Sequence, residues 1–164
     1  MTSAVAAPSP SSIGHPVLRL VRAGLAVGTA DALWASTITA IHGHSVSRLW
    51  QYLAATAFGN SMYTGGAATV ALGLAIHFVV AFAWSAVFLV LLMRFARLRG
   101  ILESPTGVFT LGAVYGPFIW IMMSFVILPV FTHKPGAVSV RWGIEALGHI
   151  AFVGLPMMWG LRRR

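Results

Sequence analysis

Four long apolar stretches alternate with short polar segments along the chain. The stretches cover approximately residues 17–41, 67–93, 108–131 and 138–161. Each is long enough to cross about 30 Å of hydrocarbon, because a helix rises about 1.5 Å per residue. The pattern predicts four transmembrane helices, and the short connections between them predict an up-and-down bundle.

A shorter amphipathic pattern separates the first two stretches. Within residues 44–60, Leu49, Leu53 and Ala57 recur at helical spacing opposite a polar face. The neighbouring Trp50 is a residue type suited to the headgroup level of a bilayer. This segment is therefore predicted to be an interfacial helix lying on the membrane surface.

Composition supports an all-α integral membrane protein and excludes a soluble globular one. Hydrophobic residues make up 58% of the 164 residues and charged residues only 9%, whereas soluble domains are about 25% charged. The chain has no cysteine, which excludes disulfides, iron–sulfur clusters and thiol catalysis. Residues 1–16 are rich in Ser, Ala and Pro and are predicted to form a disordered tail, so residues 17–164 form a single transmembrane domain.

The net charge of +8 is concentrated at helix ends. Eight of the eleven Lys and Arg residues lie in the tail region, in the loop after the second stretch and at the C-terminus. By the positive-inside rule, both termini are predicted to be cytoplasmic in a bacterial inner membrane. Short arginine clusters separated by apolar spans do not form a nucleic-acid surface, so the expected partners are the lipid bilayer and either further copies of the chain or a larger membrane complex.

Ionisable side chains within the spans are the strongest functional signal, because they are costly in hydrocarbon. Asp31, His77 and His149 are each predicted to lie about 15 Å below the outer boundary, near the midplane. Glu145 and Arg141 precede His149 at intervals of four and share its helix face. In an up-and-down bundle the second and fourth helices lie diagonally opposite, so the two histidines could meet at the centre.

Four interpretations of this cluster remain open. The polar groups could be structural, joining helices by hydrogen bonds, or could handle protons, ions or a small solute. They could bind b-type haem, with His77 and His149 as axial ligands in an electron-transfer or anchor subunit. They could also bind a divalent metal, with Asp31 or Glu145 completing the ligands. We do not expect an enzyme, because no serine nucleophile has a visible base and no phosphate-binding loop follows a strand.

Motifs in all four stretches resemble the YagU-type bacterial inner-membrane proteins of unknown function. The motifs are Gly28-x-x-Asp31, Leu74-Ala75-Ile76-His77-Phe78, Tyr115-Gly116 with Leu128-Pro129, and Gly148-His149 with Val153-Gly154-Leu155-Pro156. The resemblance covers nearly everything after the tail. It implies a four-span inner-membrane protein and assigns no catalytic residue.

Overall fold

The computed structural model describes residues 15–136 and 138–163, and every regular element within these ranges is helical. The helices are α1 (Pro16–Ile41), α2 (Val46–Phe58), α3 (Gly66–Arg94), α4 (Ala96–Glu103), α5 (Pro105–Thr132) and α6 (Val140–Leu161). Of these, α1, α3, α5 and α6 are long and apolar enough to cross a membrane, which confirms the four predicted apolar helices. Residues 1–14 of the predicted tail lie outside the described residues.

Polar and proline residues set the helix starts. Ser45, Ser104 and Ser139 are N-caps, and each accepts a hydrogen bond from a backbone N–H three residues further on. Pro16 and Pro105 occupy the first turns of α1 and α5, where a missing N–H costs no helical hydrogen bond. Ser104 and Pro105 separate α4 from α5. Helix α4 itself was not predicted, because only a loop was expected between the second and third spans.

Two internal prolines follow π-helical turns. The turn Met123–Ile127 precedes Pro129 in α5, and the turn Ile150–Gly154 precedes Pro156 in α6. Proline cannot donate the usual hydrogen bond to the carbonyl one turn earlier. A π turn changes the local hydrogen-bond register, so the helix continues past a position where a regular α-helix would lose a bond.

The four long helices form a ring in the order α1, α3, α5, α6. Helix α1 packs against α3 and α6, and α6 also packs against α5. The link between α3 and α5 is made by side chains: the Tyr115 hydroxyl donates to the Trp84 carbonyl at 3.2 Å, and the Tyr115 ring packs against Phe88. This order places α3 diagonally opposite α6, as in an up-and-down bundle.

Glycines allow the closest helix contacts. A Cβ atom on Gly116 would collide with the His149 carbonyl oxygen, and one on Gly73 would collide with the Trp50 carbonyl oxygen. Small residues permit such backbone approach where lipid supplies no hydrophobic drive for association. The interfaces of α5 with α6 and of α2 with α3 are therefore set by backbone contact.

Arginines stabilise one end of the bundle, which we call the arginine-rich end. Arg19 donates to the Leu161 carbonyl at 2.7 Å, and Arg22 donates to the Arg162 carbonyl at 3.1 Å. Arg99 donates to the carbonyls of the last turn of α3. Cationic groups at helix C-termini satisfy carbonyls that lack helical partners and complement the helix dipole. These arginines thus cap the ends of α6 and α3.

The hydrophobic core lies mainly in the half of the bundle nearest the arginine-rich end. It consists of Ala23, Val27, Ala81, Phe88, Leu89, Leu92, Leu102, Val108, Tyr115, Ile119, Val153, Met157, Met158 and Leu161. Beyond Gly28, only Thr39 is buried in α1. The other half of the bundle contains the polar groups described below.

Helix α2 packs against α3. Trp50 is only 4% exposed and its ring meets that of His77 edge-on at 5.3 Å. The Gln51 amide donates to the Thr69 hydroxyl at 3.2 Å. Trp50 is thus buried against α3, where its backbone lies close to Gly73, and its position at the headgroup level stays a prediction.

Candidate functional site

Asp31 of α1 and His77 of α3 lie side by side, and we call them the Asp31/His77 pair. The distance between His77 Nδ1 and Asp31 Oδ2 is 3.9 Å. The other ring nitrogen, Nε2, lies 3.0 Å from the Gly28 carbonyl oxygen, one turn before Asp31. His77 therefore joins α3 to two neighbouring groups on α1.

The partners of His77 constrain the positions of its protons. A carbonyl oxygen can only accept a hydrogen bond, so Nε2 must carry the proton that it donates to Gly28. In a neutral imidazole Nδ1 is then an unprotonated acceptor, and it faces a carboxylate that also only accepts. A further proton, on Nδ1 or on Asp31, turns this unfavourable contact into an attractive one.

Aromatic groups and glycine shape the surroundings of the pair. The rings of Trp50 and Phe78 lie 5.3 and 5.7 Å from that of His77. Gly28 has no side chain, so the Phe78 ring can occupy the space that a Cβ atom would fill. The side chains of His77 and Asp31 are 12% and 18% exposed. The aromatic rings therefore cover one side of the pair, but both side chains keep some exposed surface.

A second set of polar side chains connects α1 with α6. Arg141 Nε lies 3.9 Å from Glu145 Oε1, one turn along α6. The other carboxylate oxygen of Glu145 accepts a hydrogen bond from the Trp34 indole at 3.2 Å. Trp34 also stacks on Phe152, and its indole lies where Gly148 leaves room. Glu145 therefore has a cationic neighbour beside one carboxylate oxygen and a neutral hydrogen-bond donor at the other.

His149 lies at the contact between α6 and α5. Its Nδ1 bonds to the Glu145 carbonyl at 2.7 Å, and its ring packs against Trp120 with a centroid distance of 4.7 Å. The backbone carbonyl of Glu145, not its carboxylate, therefore holds the His149 ring in place. His149 is 7% exposed, so this imidazole is held mainly by α5 and by its own helix.

The five predicted polar residues thus form separate groups at three interfaces. Asp31 and His77 meet between α1 and α3, Glu145 and Arg141 lie beside Trp34 of α1, and His149 faces Trp120 of α5. Within residues 15–136 and 138–163, no three His, Asp or Glu side chains come close enough to hold a metal ion.

Three partners were absent from the sequence interpretation: Trp34, Trp120 and the Gly28 carbonyl. Trp34 had a usable signal, since it lies three residues after Asp31 and therefore on a neighbouring part of the same helix face. Trp120 and the Gly28 carbonyl had none, because their roles depend on how α5 and α3 are rotated against their neighbours.

No protein-family model, curated protein or solved structure matches this chain. The resemblance to YagU-type proteins accordingly stays a prediction. The geometry of the Asp31/His77 pair and of the groups around it is therefore the basis on which a function is proposed.

Proposed function

We propose that the protein is a multi-pass protein of a bacterial inner membrane that transfers protons through the Asp31/His77 pair. The membrane location is supported by the four long apolar helices and by the many large apolar side chains on their outer faces, such as Leu33, Val79 and Val114. Exposed apolar surface of this extent is unfavourable in water and suited to lipid.

Both termini are proposed to lie in the cytoplasm. The starts of α1 and α5 and the ends of α3 and α6 meet at the arginine-rich end. Among the Lys and Arg residues that the structure describes, Arg48, Lys134 and Arg141 lie toward the opposite end. This asymmetry follows the positive-inside rule, and it makes the opposite end the outer one.

The observation that carries the proposal is the 3.0 Å contact of His77 Nε2 with the Gly28 carbonyl oxygen, together with the Asp31 carboxylate that faces Nδ1. Because Nε2 donates to the Gly28 carbonyl, the gain or loss of a proton occurs between Nδ1 and Asp31. Histidine changes charge near neutral pH in its ordinary state. Ionisable groups within transmembrane segments are rare, and they mark ion paths and proton relays.

The route to the pair is proposed to start at the outer end. Arg141 and Glu145 descend one face of α6, and Glu145 reaches Trp34 of α1, three residues from Asp31. On the other side of the pair, the buried core separates it from the arginine-rich end. Proton transfer to the cytoplasm would require this core to rearrange, so the described conformation suits uptake from outside.

A bis-histidine haem site has less support from the geometry. An axial histidine binds iron through one ring nitrogen, and His77 uses Nε2 for Gly28 and faces Asp31 with Nδ1. His149 has Nε2 available, yet Gly116 brings α5 into backbone contact with it. A porphyrin beside either histidine would need these helix contacts to separate. A purely structural role for the pair remains the alternative that the following experiment decides.

Proton flux into liposomes tests the proposal. The purified chain would be reconstituted in vesicles that contain a pH-sensitive dye, and a potassium gradient with valinomycin would make the interior negative. We expect acidification several times faster than in protein-free vesicles. His77→Gln and Asp31→Asn should reduce the rate to background, because an amide does not titrate.

The matched control is His133→Gln, which changes an exposed histidine in the connection between α5 and α6. Vesicles with this variant should acidify at the same rate as vesicles with the wild-type protein. If vesicles with the wild-type protein acidified no faster than protein-free vesicles, the proton-transfer proposal would be wrong and the pair would have a structural role. Full flux in His77→Gln would exclude the pair as the proton site.

A further inference from the structure

A pocket of about 380 Å³ lies at the end of the bundle opposite the arginine-rich end. Three elements form it: the last turns of α1, the first turns of α2 and the start of α6. Its lining includes Thr39, Arg48, Tyr52 and Arg141. The Asp31/His77 pair is not part of this lining.

The charge in this pocket is one-sided. Arg48 and Arg141 both line it, and no acidic residue does so among the described residues. Arg141 is 3.9 Å from Glu145, a residue outside the lining, and its side chain is 45% exposed. Two guanidinium groups facing one cavity repel each other unless an anion lies between them.

Arginines at the two ends of the bundle have different partners. At the arginine-rich end, Arg19, Arg22 and Arg99 donate to helix C-terminal carbonyls. At the pocket, the last carbonyls of α1 already accept hydrogen bonds from backbone N–H groups of residues 42–44. The Arg48 guanidinium lies 5.4 Å from the centre of the Tyr63 ring and donates no hydrogen bond to a described residue. Its donors therefore remain available for a ligand.

Thr39 provides an independent sign of a ligand. It is 4% exposed, and its hydroxyl is buried without a hydrogen-bond partner in the described part of the chain. Buried hydroxyls almost always have a partner, since burying one without a partner is costly. Thr39 lines the pocket, but this oxygen is almost inaccessible in the described conformation, so the side chain must rotate before the hydroxyl can donate to a ligand there.

Tyr52 adds a neutral donor to the same lining. Burial, and secondarily the neighbouring Tyr63, raises the pKa of Tyr52 above its ordinary value. The phenol therefore stays protonated and does not place a negative charge next to a bound anion.

We propose that this pocket binds an oxyanion of the phosphate type between Arg48 and Arg141, with the Thr39 hydroxyl donating to it. Guanidinium groups bind phosphate by paired, charge-assisted hydrogen bonds. The phosphate could be free or belong to the headgroup of an anionic phospholipid, because the pocket lies where the outer membrane surface is proposed. Binding here does not depend on proton transfer and is measured separately.

Phosphate binding to the full chain in nanodiscs of zwitterionic lipid tests the proposal. Titration with inorganic phosphate, followed by calorimetry and by thermal unfolding, should give saturable binding. Thr39→Val should weaken it about tenfold, since a hydrogen bond to a charged group is lost, while Thr39→Ser should retain it. Arg48→Gln should weaken binding at least as much as Thr39→Val does.

Arg97→Gln is the matched control, because it removes the same charge at the arginine-rich end. It should bind phosphate like the original protein. Nanodiscs containing phosphatidylglycerol distinguish the two sources: a headgroup ligand would raise the unfolding temperature without added phosphate in Arg97→Gln and not in Arg48→Gln. Equal phosphate affinity in Thr39→Val and the original protein would overturn the proposal. So would a chain that neither phosphate nor phosphatidylglycerol stabilises.

Discussion

His77 and His149 use different ring nitrogens for their backbone hydrogen bonds. His77 bonds to the Gly28 carbonyl through Nε2, and His149 bonds to the Glu145 carbonyl through Nδ1. The amide nitrogen of glutamine can reach roughly the position of Nε2, whereas that of asparagine is nearer the position of Nδ1. Glutamine should therefore be the better replacement for His77, and asparagine the better replacement for His149.

We expect His77→Gln to unfold at nearly the temperature of the original protein and His77→Asn to unfold earlier. The expected loss is about 0.6 kcal/mol, the average for an interhelical hydrogen bond in a membrane. At His149 the order should reverse, with asparagine tolerated better than glutamine. Thermal unfolding of the four variants in one detergent measures this, and the same order at both positions would contradict the assigned bonds.

Sequence indicated the relative level of the polar residues along the bundle better than the direction in which they point. Counting residues along each span placed Asp31 and His77 at one level, and the two side chains do meet. It also placed His149 at that level, but His149 faces Trp120. Successive helix positions differ by about 100° around the axis, so direction depends on the rotation of each helix, which its close contacts determine.

At the scale of the helices, glycine contacts fix these rotations. Gly116 brings α5 against the His149 carbonyl, and Gly73 brings α3 against the Trp50 carbonyl. Both contacts involve backbone atoms, which cannot move aside as a flexible side chain can. Adding one methyl group at either position should therefore separate two helices.

We expect Gly116→Ala and Gly73→Ala each to destabilise the protein by about 1–3 kcal/mol, the usual cost of overpacking. Gly100→Ala is the control, since a Cβ atom there meets no atom within 4 Å. It should be neutral or slightly stabilising, because alanine favours a helix more than glycine does. Reversible unfolding in detergent gives the comparison, and equal stability of all three variants would argue against the tight interfaces.

The long helices were more predictable than the short ones. Apolar length alone placed the four spans within a few residues of their observed bounds. The amphipathic pattern predicted a helix near α2, but it did not indicate that Trp50 is buried against His77 of α3. Helix α4 was missed because its eight residues are too few for a clear periodic pattern.

Over the whole molecule, packing and polarity are divided between the two ends. The arginine-rich end contains the core and the capped helix termini, while the opposite half contains the Asp31/His77 pair, Glu145 and the proposed oxyanion pocket. Composition predicted a membrane protein with polar groups at depth. It could not predict this division, because the division arises from which helix faces meet.

The central claim is that Asp31 and His77 bind a proton as one site, and the sequence allows a direct measurement of it. Asp31 is the only aspartate in the chain, so ¹³C-labelled aspartate reports on this carboxyl group alone. The chemical shift of a carboxyl carbon depends on the proton and on the charged or hydrogen-bonding groups next to it. We predict that His77→Gln changes the chemical shift of the Asp31 carboxyl carbon, because the imidazole 3.9 Å away is lost, and that His133→Gln leaves it unchanged. An identical Asp31 carboxyl signal in all three proteins would contradict the claim.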